Sequence, residues 1–197
     1  MGRARKLNNQ SKMRIIETAN LQLIPCGLEY VEAIMRDRQE LGRMLGVKIS
    51  DGWPEFPESI LHVHRMLMSD PASPEWGYHV FVHTQEQTLV GEGGYKGKPS
   101  EEGMVEIGYA IVPEYRRRGL ALEAARGLIR QAFLHPQVNI VQAHTLPTGN
   151  ASISILKKLG MKFMGTVIDD PEDGEVFQWS VQRKDHRNED FGLRNAD

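Results

Sequence analysis

Apolar and polar positions recur along this chain with periods that change at turn residues. Leu21-Gln22-Leu23-Ile24 alternates, which predicts a short strand. Between Leu28 and Met44 the apolar residues Val31, Ile34, Met35 and Leu41 recur at a roughly helical spacing, predicting one or two helices. Gly46–Pro57 is punctuated by Gly52, Pro54 and Pro57 and reads as a loop. Ile60, Leu61, Val63, Met66 and Leu67 predict a helix over Glu58–Met68, ended by Asp70–Pro74. Tyr78–His83, Leu89–Lys96 and Val105–Val112 read as three strands, separated by turns at Thr84–Thr88 and Gly97–Gly103.

The second half continues in the same way. Ala121, Ala124, Ala125, Leu128, Ile129, Ala132 and Phe133 give Leu120–Leu134 an apolar helical face, and His135-Pro136 stops it. Ile140–Leu146 is a strand. Asn150 suits the N-cap of a short helix over Ala151–Leu159, with Gly160 at the C′ position. Phe163–Ile168 and Val176–Val181 form a hairpin around Asp169–Glu175. The resulting order is β-α-α-β-β-β-α-β-α-β-β, an α+β or mixed α/β domain around one sheet.

Composition narrows the function classes. A chain of 197 residues fits one domain. Its 24 Lys and Arg against 26 Asp and Glu give a formal charge of −2, which is no general footprint for nucleic acid. Residues 1–17 form a basic arm carrying Arg3, Arg5, Lys6, Lys12 and Arg14. It reads as a solvated, poorly ordered terminus, with contact to RNA or a ribosome as the sharper alternative. The domain proper spans about 18–183, and 184–197 is a polar tail. Cys26 is the only cysteine, so no intrachain disulfide can form and a reducing compartment is expected. No apolar run approaches the ~20 residues that span a bilayer. No basic-then-apolar signal peptide begins the chain, so a cytoplasmic location is the default.

The segment richest in chemistry is Arg116-Arg117-Arg118-Gly119-Leu120-Ala121, between a predicted strand and a predicted helix. A helix N-terminus offers about four unpartnered N–H groups and the positive end of its dipole. Gly119 lets the backbone approach a ligand closely, so the loop is a ready phosphate site. Other patterns fail. His62 and His64 are two apart on a helix and point in different directions. His79 and His83 lack further metal ligands. Asp169–Glu175 breaks the calcium-loop pattern at Pro171 and Ser180. Gly91-x-Gly93-Gly94 precedes no helix, and no P-loop occurs.

The run Glu106-Ile107-Gly108-Tyr109-Ala110-Ile111-Val112-Pro113-Glu114-Tyr115, continued by the Arg/Gly loop, resembles the Gcn5-related N-acetyltransferase (GNAT) superfamily. Asn150-Ala151-Ser152 with Leu156-Lys157-Lys158-Leu159-Gly160-Met161 is similar to that family's closing segment. The likeness covers about residues 18–183 and is strongest to the ribosomal-protein N-terminal acetyltransferase branch. It implies a single domain around one mixed, mostly antiparallel sheet, with acetyl-CoA as cosubstrate and no metal. By that resemblance Arg116, Arg117, Arg118, Gly119, Leu120 and Ala121 would hold the pyrophosphate. Ile111 and Val112 would offer backbone to pantetheine, and Asn150 would touch the cofactor arm.

The chemistry then needs a base for the attacking amine. Glu106 on the third of these strands and Glu92 on the second are the candidates, and alternation does not decide which faces the cleft. Relatives often use a Tyr in the last helix as the acid. Ala151–Gly160 has none, so Ser152 is the substitute. The acceptor side would involve Trp53 and Phe56, with Pro54, Trp76, Asp51 and Glu55 nearby. Aromatics with acids suit a cationic amine. The acceptor is a primary amine on a small molecule or a protein N-terminus. A homodimer is a compatible assembly, and neither membrane nor nucleic acid is an expected partner. The alternative is a non-catalytic acyl-CoA sensor.

Overall fold

The computed structural model describes residues 14–71, 74–148, 151–168 and 174–186. Nine strands form one sheet: β1 (Ile16–Glu17), β2 (Leu21–Pro25), β3 (Lys48–Ile49), β4 (Tyr78–His83), β5 (Thr88–Tyr95), β6 (Met104–Ile111), β7 (Ile140–Thr145), β8 (Lys162–Ile168) and β9 (Glu175–Gln182). The helices are α1 (Leu28–Arg36), α2 (Arg38–Leu45), α3 (Pro57–Ser69), α4 (Leu120–Leu134), α5 (Ala151–Lys158) and the single turn α6 (Arg183–His186). The sheet order is β1-β2-β4-β5-β6-β7-β9-β8. Among the described residues only β3·β5 and β6·β7 run parallel, so the sheet is mixed and mostly antiparallel.

The predicted elements are present, with local differences that have physical causes. The run from Leu28 to Met44 breaks at Asp37, whose side chain accepts from the Gln39 N–H and caps α2. Lys48–Ile49 lies in the predicted loop, yet it pairs with Thr88–Leu89 at the start of β5. A two-residue strand leaves no periodicity to read. Residues 183–186 turn once more as α6, which runs from the end of the predicted domain into the predicted polar tail. Arg183 anchors that turn, its guanidinium donating to the carbonyls of Phe133, His135 and Val138. Asn150, most of the Asp169–Glu175 turn, most of the basic arm and most of the tail lie outside the described residues.

The core is one contiguous cluster between the sheet and the helices. On β6, Val105, Ile107 and Ile111 point to the buried face, as a period of two requires. Leu120, Ala124, Leu128, Ile129 and Ala132 bury the matching stripe of α4. Small residues bring this helix close. A Cβ on Gly127 would stand 3.0 Å from Thr18 Cγ2. Glu123 fixes the first turn, accepting from the Thr18 hydroxyl at 2.6 Å and from the Asn20 N–H at 2.6 Å.

The feature that positions the site is a parting of strands. β6 pairs with β5 from Tyr95↔Ile107 to Gly91↔Ile111. It pairs with β7 only from Met104↔Ile140 to Glu106↔Gln142. Residues 107–111 therefore keep one edge unpaired by β7. Backbone donors and acceptors along such an edge are available to an added strand.

Candidate active site

The loop after the parted strands is built by the backbone. Pro113–Tyr115 make one 3₁₀ turn. Arg117 then has φ of 64° and Gly119 a φ of 82°. Both are left-handed, a conformation an arginine adopts at a cost of order 1–3 kcal/mol. Gly119 is the N-cap of α4, and no side chain caps that helix. A Cβ at Gly119 would meet nothing within 4 Å, so the space in front of the helix is open. The first amides of a 15-residue helix face that space with the dipole behind them.

The arginine side chains are engaged by the protein. Arg116 Nε donates to the Ile111 carbonyl at 3.0 Å, and its guanidinium also meets the Glu55 carboxylate. Arg118 lies 4.5 Å above the Tyr115 ring and donates to Glu86 at 3.1 Å. The Val112 N–H donates to the Val90 carbonyl at 3.0 Å. Ile111 and Val112 thus hold the strand end in place, and the backbone edge left open is that of residues 107–110.

On the other side of β5 and β6 lies a cleft of about 820 Å³ beneath α3. Phe56, Val63, Met66, Leu67, Trp76 and Tyr78 supply its apolar wall. Ser59, His62, Val63 and Met66 also reach it, and that spacing is one face of α3. Ile60 and Leu67 carry the buried side of the same helix. Gly108 forms part of the floor, and a Cβ there would meet nothing within 4 Å.

Glu92 is the carboxylate in this cleft. It is 3% exposed. One oxygen accepts from the Phe56 N–H at 2.9 Å and the other from the Tyr78 hydroxyl at 2.8 Å. Burial lifts its pKa above the ordinary carboxylate value, while these two donors hold it partly down and the Glu55 charge adds to the rise. Tyr78 is held well above its usual pKa by burial and by the neighbouring carboxylate, so it stays a donor. Cys26 nearby is fully buried, its thiol pushed up to about 12 by burial, which makes it inert.

Glu106 projects on the same face of the sheet, four residues before Ala110, the cross-strand partner of Glu92. It is engaged elsewhere. Lys96 Nζ lies 2.5 Å from its carboxylate and His144 Nδ1 lies 3.1 Å away. It does not line the cleft. Trp53 is 1% exposed and belongs to the core rather than to the cleft wall. Arg38 anchors its loop by donating to the Asp51 and Trp53 carbonyls. Phe56, 49% exposed, does line the cleft. So does Trp76, which meets the Tyr95 ring at a 5.1 Å centroid distance.

Two groups of interest were not singled out from the sequence. The sequence pattern places Tyr78 on a strand and says nothing more of it. Tyr109 carries a buried hydroxyl that stands beside Ser152 without a well-formed hydrogen bond among the described residues. Burial pushes its pKa up. The only sequence signal for either is a tyrosine at a strand position, where its hydroxyl needs a partner. No cluster of three or more metal-ligating side chains occurs among the described residues. No described helix is long and apolar enough to cross a membrane.

Comparison with known proteins agrees with this geometry. A sequence model of the acetyltransferase (GNAT) domain matches residues 21–162. The uncharacterized N-acetyltransferase YjdG of Bacillus subtilis strain 168 is 29% identical over 150 residues, covering 75% of this chain and 89% of its own. The FsC-acetyl coenzyme A-N(2)-transacetylase of Aspergillus fumigatus is 26% identical over 184 residues, covering 86% and 77% respectively. Among solved structures, the ribosomal L7/L12 alpha-N-protein acetyltransferase RimL in complex with coenzyme A shares the fold. Its TM-score is 0.62 at 13% identity, over 86% of this chain and 98% of that one. The family-model match over most of the chain, together with these relatives, establishes that this chain belongs to the GNAT acetyltransferase family and is an N-acetyltransferase.

Proposed function

We propose that this enzyme moves an acetyl group from acetyl-CoA to a primary amine, with Glu92 as the general base. The observation that carries the proposal is the position of Glu92. It is a buried carboxylate in an apolar cleft, held by two donors, on the strand that pairs with β6 just before the loop. A carboxylate with a raised pKa is the better proton acceptor, and general-base catalysis is worth on the order of 10²–10⁴ in rate.

The residues fit acetyl-CoA. The amides of Gly119, Leu120 and Ala121 would hold the pyrophosphate, with Arg116, Arg117 and Arg118 adding a positive field. The open edge at 107–110 would take the pantetheine arm as an added strand. Bound there, acetyl-CoA supplies an activated acyl group. The protein's own part is to bring a neutral amine to it. The apolar wall disfavours the ammonium form, and Glu92 accepts the proton. Tyr109 and Ser152, at the parted strands, are the hydroxyls assigned to donate to the departing sulfur.

The test is direct. Acetyl-CoA should raise the melting temperature in proportion to its excess over Kd, and CoA release should follow addition of an amine. Silence toward both acetyl-CoA and CoA at millimolar concentration removes the proposal. Binding without turnover on any amine points instead to a sensor.

A further inference from the structure

Resting on the reading just given, we infer that the acceptor is a monoamine whose single amino group is carried on an uncharged, apolar body. The wall facing Glu92 is mostly apolar, from Phe56 through Val63, Met66 and Leu67 to Trp76 and Tyr78, interrupted on α3 by Ser59 and His62. The cleft holds about 820 Å³, far more than an amino group and its first carbon need. A large volume lined in this way is filled by carbon.

The charges along the cleft carry the second half of the inference. Asp70 lines the cleft and lies 2.5 Å from Lys98, which also lines it. Lys96 lines it too and is 2.5 Å from Glu106. His62 completes the titratable side chains beneath α3 and adds no anion. Among the described lining residues the one acid besides Glu92, Asp70, is thus matched by a lysine. Glu92 itself accepts from Tyr78 and from the Phe56 N–H and has no cation within salt-bridge distance among the described residues, while Glu55, the acid whose charge reaches it, is taken by Arg116. A di- or polyamine needs a second carboxylate for its second ammonium, because an unpaired buried cation is heavily penalised. The cleft offers one anchor for one amine.

This chemistry is shared by a free alkyl- or arylalkylamine and by the α-amine of a peptide that begins with a large apolar residue. A panel read by CoA release distinguishes the sources. One arm holds a primary alkylamine series and phenylethylamine. A second holds short peptides beginning with Phe, Leu, Gly or Asp. A third holds putrescine, spermidine, free lysine and an aminosugar. The expected result is a kcat/KM that rises up to about fourfold per methylene in the alkylamines until the cleft is filled. The best member of the first or second arm should exceed every member of the third at least tenfold. A polyamine, lysine or aminosugar as best acceptor overturns the inference and leaves the acetyl-transfer reading intact. If acetyl-CoA binds and no arm is acetylated, both fall.

A variant sharpens the charge argument. Met66 is 37% exposed on the cleft side of α3, so Met66→Glu should fold. It should cut kcat/KM for the apolar amines at least tenfold and narrow their lead over spermidine, while Met66→Gln keeps the ranking. An unchanged ranking in Met66→Glu would show that the wall does not select the body of the acceptor.

Discussion

The two sides of β6 are built from different materials. On one side, the anion loop is a contiguous run of main chain. Left-handed Arg117 and Gly119 turn it, and an uncapped helix finishes it. On the other side, the cleft draws on four separate stretches: Phe56 with the face of α3, Trp76 with Tyr78, Glu92 through Lys98, and Gly108 through Ala110. A backbone device depends on a few conformations and survives many changes of side chain. A side-chain device depends on each group it uses, and those groups are scattered through the sequence. On the proposed reading the first would hold the cofactor, and the second would select the acceptor.

That contrast predicts which substitutions are severe. The largest effect is expected at Gly119. Gly119→Glu places a carboxylate in the open space before α4, where it would repel a pyrophosphate and obstruct the amides. Acetyl-CoA affinity should fall at least a hundredfold by calorimetry. A residue with a Cβ at φ of 82° costs roughly 1–2 kcal/mol, so the far-ultraviolet circular dichroism should still report a folded protein. A folded variant with unchanged affinity would move the phosphate site elsewhere.

On the cleft side, Glu92→Gln should lower turnover about 10²–10⁴-fold and flatten the acidic limb of the pH–rate profile, with acetyl-CoA affinity kept. Glu106→Gln loosens Lys96 and His144 but removes no group from the cleft, so turnover should stay within about tenfold. The reverse order would return the base to Glu106. Stability gives a second reading of the same pair. Because the folded pKa of Glu92 is raised, its protonated form stabilises the fold at low pH, and that contribution is lost as pH rises through the folded pKa. Glu92→Gln should therefore melt higher than the parent at neutral pH, and the gap should close as pH falls below the ordinary carboxylate range.

The unequal legibility of the two sides has the same origin. The loop could be read because Arg116–Ala121 are neighbours in sequence and the strand and helix flanking them have clean periods. Sequence alone does not choose between the candidate bases, because Glu92 and Glu106 share a face and only three-dimensional surroundings separate them. Burial and two donors mark one, while Lys96 and His144 occupy the other. Trp53 and Phe56 look alike in a loop rich in Gly and Pro, yet one is core and the other cleft wall. The distinction is made by Arg38, fifteen residues before Trp53, which ties down its carbonyl. Contacts at such separations leave no local period.

Tyr78→Phe refines the cleft side by removing one of the two donors to Glu92. That donor lowers the Glu92 pKa, so its loss should raise it further, moving the acidic limb of the rate profile to higher pH. The change in kcat at the plateau should be at most on the order of a hundredfold, since one hydrogen bond to a charged group is worth roughly 1.5–3 kcal/mol and a second donor remains. A limb displaced to lower pH would mean that Tyr78 acts on something other than the carboxylate.

The smallest effect is expected at Arg118, and it tests whether the loop is truly a backbone device. Its guanidinium is half exposed, at 49%, and already serves Glu86 and the Tyr115 ring. Exposed ion pairs of this kind are worth ~0–1 kcal/mol, because solvent and salt screen them. Arg118→Ala should weaken acetyl-CoA binding less than about fivefold at physiological ionic strength. The loss should shrink further as salt is raised, the mark of a diffuse field rather than a fixed contact. A loss near that of Gly119→Glu, unaffected by salt, would show that the arginine leaves Glu86 to grip the phosphate directly, and the loop would then be a side-chain device like the cleft on the other side of β6.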